Sequence, residues 1–504
     1  MLEKSFSESE LVLALIGAVG TELGKVRDIL EERLKVIGYK VVNVHVTTDV
    51  IPQIVQPKPW TENDEYARFK SLMDAGNDAR KKSDDNSILA LGAAGFIAGE
   101  RPKDENEKPL YVSKQAYIIS SLKHPQEVER LRAIYPEGFY LIGVHADDRR
   151  RLNYLMKDKR ITQENAKKLM ARDEDEHLEH GQRVTDTFHL SDFFVRIDGD
   201  DDRLKNSLWR LLGLLFGHPY VTPTFDEYAM FMAYAASLRS ADLSRQVGAV
   251  IAVGNQVVAT GANDCPKTDG GHYWPEADKL PGEIPFPKDG RDFARGFDSN
   301  KVEQQRIIDE ILSNAKEMGL DPVKVKELLE ASRIRDLTEF GRVVHAEMEA
   351  LLSCVRARIP AKGGTLYSTT FPCHNCAKHI VAAGIRRVVF IEPYQKSKAI
   401  EFHPDSIQVG FSDSAAASIG GTMVNFEPFV GVGPRRFFDL FSLQLGSGYR
   451  LKRKDGVGKA LEWKPEDGQL RLQMLPASYL DLEFIASNMF NLARKPQEEV
   501  SHDS

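Results

Sequence analysis

One imidazole, one carboxylate and two thiols fall within residues 341–391, and their spacing restricts this chain more than any other feature. The stretch reads GRVVHAEMEALLSC and, after a short loop, GGTLYSTTFPCHNCAKHIVAAGIRRVVFI, so it holds His345, Glu347, Cys373 and Cys376. Cysteines at i and i+3 of a helix share a face, with Cβ atoms about 5–6 Å apart, and both sulfurs then reach one tetrahedral zinc. A helix predicted over 376–383 would favour the thiolate form through its dipole. His345 is the natural third ligand. Two thiolates and a neutral imidazole balance Zn²⁺ and leave a fourth position for water, which is the pattern of a catalytic site. Glu347, two residues from His345, does not share its helix face, so it is expected to move protons as a general acid and base.

The arrangement H-x-E…P-C-x-x-C is a signature of zinc deaminases. The chain has 4 cysteines in 504 residues, and two of them stand in this pattern, which fits a reducing compartment. Cys265 and Cys354 read as buried, inert thiols. The chain is 42% hydrophobic and 28% charged, and no run of 18 apolar residues could span a bilayer. MLEKSFSESE lacks the basic and apolar regions of a secretory signal, so no membrane association and a cytoplasmic location are expected. A net charge of −7 argues against a protein that coats nucleic acid.

The N-terminal half alternates strand and helix signals. The apolar run LVLALI, residues 11–16, is suited to a buried parallel strand and is followed by GAVGTELGK and a helical stretch, 26–37. Strand, glycine loop and helix form a phosphate-loop context in which Gly17 and Gly20 are candidate nucleotide-binding residues. The loop is degenerate. Gly24 follows Gly17 by seven positions where a working G-x-x-x-x-G-K-[ST] loop has five, and Val26 stands in place of the magnesium-binding hydroxyl. Strands are predicted at 40–46, 116–120 and 139–144, and helices at 61–82 and 125–133. Together they give a doubly wound parallel sheet over a domain 1–220. The order of parts resembles the nucleoside and nucleotide kinase branch of the P-loop fold. Arg149, Arg150 and Arg151 invite a phosphate-gripping role, as in a kinase lid, but Asp147, Asp148 and Asp158 flank them and favour the reading as a solvated helix face.

In the C-terminal half a helix is predicted at 225–237, a hairpin at 246–253 and 256–259, strands at 365–368 and 387–391, and helices at 301–318 and 322–331. SRQVGAVIAV…VVATGAND, VHAEMEALL and TLYSTTFPCHNCAKHIVAAGIRRVVFIEPY together resemble the deoxycytidylate deaminase family over 225–410. The resemblance implies a cytidine-deaminase-like α/β/α sandwich over 222–450, with His345, Cys373 and Cys376 on zinc and Glu347 catalytic. It also implies that Asn263 contacts the nucleotide sugar, although an asparagine in GANDCP can equally cap a turn. The chain departs from a minimal deaminase by an insertion at 267–340, read as a lid, a subunit contact or a surface excursion. Residues 451–504 form an extension.

A kinase-like domain joined to this deaminase-like one resembles the bacterial anti-phage deoxycytidylate deaminases. The resemblance implies hydrolysis of dCMP or dCTP to deoxyuridine nucleotides, depletion of the deoxycytidine pool during infection, a regulatory nucleotide at the N-terminal domain, an inhibitory small RNA and a homo-oligomer. A housekeeping dCMP deaminase of dTTP synthesis, or a polynucleotide cytidine or adenosine editor, would use the same zinc chemistry. An editor needs a basic, aromatic-lined groove.

Overall fold

The computed structural model describes residues 8–106, 108–174, 181–275, 287, 289–392, 397–410, 423–444 and 449–494. The chain divides into two compact units, Met1–Glu227 together with Val430–Ser504, and Tyr228–Phe429. Sequence spacing reads 222–450 as one domain and 451–504 as an extension; the structure instead assigns the chain from Val430 onward to the first unit. The charged end of that extension, 495–504, lies outside the described residues.

In the first unit β1 (Leu11–Ile16), β2 (Lys40–His45), β3 (Gln115–Ser120), β4 (Phe139–His145) and β5 (Phe193–Arg196) form a parallel sheet in the order β5-β4-β1-β3-β2. The short strand Gly431–Val432 adds an antiparallel edge to β5, so the sheet is mixed where the sequence predicts it wholly parallel. LVLALI is buried along its whole length because β1 is central and helices cover both faces. Leu11, Leu13 and Leu15 join one core with Val26, Leu30 and Leu208, whereas Val12, Ala14 and Ile16 join the other with Leu91, Val128 and Leu131. β2, at the edge, is largely half-exposed.

The helix Ile88–Gly99 is apolar all round, and such a helix needs cover on every side. The sheet side and the neighbouring helices supply part of it, and the late helix Pro476–Arg494 supplies a further part. The approach is close: a Cβ on Gly92 would lie 2.3 Å from Val50 Cγ1 and 2.4 Å from Phe490 Cε2. Beside it, Arg101 bridges Glu10 and Glu483 through contacts of 2.6 Å each, with all three side chains 0% exposed. A charge buried to that degree is tolerable only with such complete pairing. These contacts account for the inclusion of Val430–Ser504 in the first unit.

In the second unit β6 (Gly248–Val253), β7 (Gln256–Ala262), β8 (Thr365–Thr370), β9 (Arg387–Glu392), β10 (Ile407–Val409) and β11 (Val424–Pro428) form a mixed sheet in the order β10-β11-β9-β8-β6-β7. The hairpin is antiparallel and β8 to β11 run parallel, with β6 antiparallel to β8. Gly248 pairs with Ala262 and Ala249 with Gly261, so Gly248 and Gly261 lie on opposite faces. Each meets a helix backbone. A Cβ on Gly248 would lie 1.9 Å from the Ala233 carbonyl oxygen, and one on Gly261 would lie 2.1 Å from that of Ala346. The hairpin is thus sandwiched between the helices Phe225–Ser237 and Ala346–Ala357. Among the described residues, no helix is long and apolar enough to cross a membrane.

Candidate functional site

The four predicted residues converge in the second unit. His345 is the N-cap of the helix Ala346–Ala357, and Cys373, at the end of the loop after β8, is the N-cap of the helix His374–Ala382. This second helix starts two residues earlier than predicted, so Cys373 precedes it and Cys376 occupies its first turn. The backbone places two helix N-termini, each with unsatisfied N–H groups and a positive dipole end, around the thiols.

His345 Nδ1 lies 3.4 Å from Cys373 Sγ and 3.4 Å from Cys376 Sγ. The three donor atoms all lie within 4.8 Å of one another. Tetrahedral zinc, with Zn–S of about 2.3 Å and Zn–N of about 2.0–2.1 Å, separates nitrogen from sulfur by about 3.6 Å, so this donor set has the size and chemistry of a zinc site. Glu347 is 4% exposed, and its Oε2 accepts from Cys376 Sγ at 3.5 Å. It stands beside the ligand cluster and not within it.

Protonation in the cluster is tightly shared. The Cys373 thiol is held down to about 3 by its hydrogen bond with Cys376 and by His345, while Cys373 lifts His345 to about 9. Burial pushes the Glu347 carboxyl above the usual carboxylate range. The remaining thiols stand outside the donor cluster: Cys265 and Cys354 are each 1% exposed, and burial raises the Cys265 thiol to about 11.

Asn263 is 6% exposed, and both atoms of its amide are engaged. Its Oδ1 accepts from Val247 N at 2.7 Å and its Nδ2 donates to the Arg245 carbonyl at 2.8 Å. The side chain therefore pins the entry to β6 against the exit from β7. The next residue, Asp264, exchanges two backbone hydrogen bonds with Val344, immediately before His345. Arg291, in the 267–340 insertion, forms a buried ion pair with Asp264. The insertion, of which 276–286 and 288 lie outside the described residues, is anchored to the segment that delivers His345.

Spacing alone did not point to Gly261, whose lack of a side chain lets the His345 helix sit on β7. We expect Gly261→Ala to push that helix outward and to lower kcat/KM about 10²-fold, as a displacement near 1 Å does. Steady-state kinetics together with zinc content check this, and a normal rate would show that the helix absorbs the methyl group.

In the first unit, Gly20 has φ +87°, a region open to glycine, and a Cβ there would meet the Arg151 carbonyl oxygen at 2.9 Å. Gly17 accepts from Lys123 Nζ at 3.1 Å through its carbonyl. The expectation of a solvated arginine face is corrected for two of the three arginines. Arg151 is 4% exposed and donates to the Val19 carbonyl at 2.9 Å, and Arg150 pairs with Glu22 at 2.7 Å, so both brace the glycine loop; Arg149 is exposed. Lys25 pairs with Asp201.

Residues 223–392 match the family model described as cytidine and deoxycytidylate deaminase zinc-binding region. ComE operon protein 2 of Bacillus subtilis is 43% identical over 55 residues, 11% of this chain and 29% of that protein. The deoxycytidylate deaminase of Enterobacteria phage T4 is 42% identical over 55 residues, 11% of this chain and 28% of that protein. That of Saccharomyces cerevisiae is 26% identical over 234 residues, 45% of this chain and 59% of that protein. The chain thus spans less than a third of the length of the first of these relatives. A structure of the dCMP deaminase from cyanophage S-TIM5 in complex with dCMP and dUMP is 18% identical, covering 42% of this chain and 100% of that one, with a TM-score of 0.23. Within the residues that match that zinc-binding region, 223–392, His345, Cys373 and Cys376 are the group that could hold a metal ion.

Proposed function

We propose that the second unit removes the exocyclic amine of deoxycytidine nucleotides, dCMP or dCTP, by hydrolysis. The observation that supports this most directly is the His345, Cys373 and Cys376 cluster with buried Glu347 at 3.5 Å from Cys376, inside the matched region. Zinc held by these three side chains supplies the Lewis acidity that makes water a nucleophile near neutral pH. At C4 of the base a C–O bond forms and the C–N bond breaks, and ammonia leaves. Glu347 takes one proton from the attacking water and passes it to the ring nitrogen, then takes the second from the hydroxyl now on C4 and passes it to the departing amine, so its carboxylate begins and ends the cycle unchanged. Asn263 retains one lone pair and one N–H beyond its two backbone bonds, and we assign these to the sugar of the substrate.

The glycine loop of the first unit is read as a regulatory nucleotide site and not a kinase centre, since Lys25 is turned to Asp201 and Val26 lacks a hydroxyl. The full-chain resemblance supports depletion of the deoxycytidine pool in anti-phage defence, restraint by a small RNA, homo-oligomerisation and a cytoplasmic setting.

The test is to incubate the purified full chain with dCMP, dCTP, CMP, cytidine and single-stranded DNA and to measure ammonia. Release from dCMP or dCTP is expected. Release from single-stranded DNA alone would replace this reading with that of an editor.

A further inference from the structure

In the first unit a cavity of about 320 Å³ opens at the carboxyl ends of β1 and β3. Chain order reverses there, since β1 lies between β3 and β4, and such a crevice is where open α/β sheets take ligands. One side of the cavity is apolar, with Phe69, Leu72 and Met73. The other is polar and is formed by the loop from Gly17 to Gly24 and by Lys123. Among its described lining residues Arg68, Arg80, Lys123 and Lys159 are basic and Asp173 is the one acid.

Asp173 is 0% exposed. Its Oδ2 accepts from Val19 N at 2.6 Å, and its Oδ1 accepts from Lys123 Nζ at 2.8 Å. Lys123 reaches the Gly17 carbonyl as well. An anion held by an amide of a glycine loop and by a lysine, just before a helix, has the surroundings a bound phosphate oxygen would have. Here the anion belongs to the chain itself, and it arrives from a helix, Gln163–Glu174, that follows the loop by well over a hundred residues.

We propose that Asp173 is a displaceable internal anion, seated where a phosphorylated ligand places its phosphate. The cavity takes a nucleotide, whose planar base suits the apolar side and whose phosphate exchanges for the Asp173 carboxylate. This rests on the reading of the glycine loop as a nucleotide site. Exchange of one anion for another keeps Lys123 paired throughout, and it lowers apparent affinity by the fraction of time that the seat is open. It also uncouples Gln163–Glu174 from the loop whenever ligand is bound, so occupancy is transmitted to a second element.

The test is titration calorimetry of ATP and of inorganic pyrophosphate into the full chain, into Asp173→Asn and into Lys123→Met, with Asp173→Ser added in case thermal unfolding shows the asparagine variant to be misfolded. We expect weak binding to the unaltered chain, at least about tenfold tighter binding to the Asp173 variants, and loss of binding in Lys123→Met. Binding to the unaltered chain that is unchanged or weaker in both Asp173 variants overturns the displaceable anion and leaves the nucleotide site standing. No binding to the unaltered chain or to either Asp173 variant overturns both. Ammonia release, read separately, reports on the second unit.

Discussion

Glu347→Ala is expected to lower deamination by about 10²- to 10⁴-fold while the chain keeps its zinc. The geometry separates the two properties. Glu347 stands beside the three donors and not among them, so its removal takes away the proton carrier and leaves His345, Cys373 and Cys376 in place. Truncation to alanine also relieves the cost of a buried carboxyl, so the variant should unfold no earlier than the parent chain. Glu347→Gln keeps the shape of the side chain and loses the proton chemistry, so it should be as inactive as the alanine variant. Activity with dCMP or dCTP and metal analysis of the same samples check this. Stoichiometric loss of metal on either substitution would move Glu347 into the ligand set.

The second large effect is expected from Cys376→Ala. Cys376 is 1% exposed, lies 3.4 Å from His345 Nδ1 and holds the first turn of its helix against Glu347. Its removal leaves two donors for the metal, and the loss in affinity should exceed the 10- to 100-fold typical of a supporting partner of a ligand. Metal binding free energy is shared with the folding of a site, so the helix His374–Ala382 should loosen as the metal leaves. Metal analysis after dialysis, thermal unfolding with and without added zinc, and the ammonia assay read the three consequences. Full zinc content and normal turnover in this variant would remove Cys376 from the site.

The parts of the molecule legible in the sequence are those whose cause is local. LVLALI is apolar on both faces, short and bounded by a glycine, which suits a central buried strand, and its strand spans the residues expected, Leu11–Ile16. The helix Phe225–Ser237 likewise has the expected bounds. The coming together of His345, Glu347, Cys373 and Cys376 was legible because the metal and proton chemistry expected of them dictates residue type and spacing. β5 was missed because it is four residues long, too short to show a period. The helix Ile88–Gly99 has no polar face and so no periodicity to read. Arg150 and Arg151 looked solvated because acids flank them in sequence, whereas Glu22 and the Val19 carbonyl, their partners in space, lie far away along the chain. The role of Gly261 appears only when the backbone of another helix is brought against it.

The buried bridge from Glu10 through Arg101 to Glu483 bears on the order in which the chain matures on the ribosome. The residues of the second unit are contiguous and emerge before Glu483 has been made, so that unit can close while the first is still incomplete. Until the helix Pro476–Arg494 emerges, Arg101 lacks one of its two carboxylates and the apolar helix Ile88–Gly99 lacks part of its cover. The nascent first unit therefore keeps part of its apolar surface uncovered until the helix Pro476–Arg494 has been made.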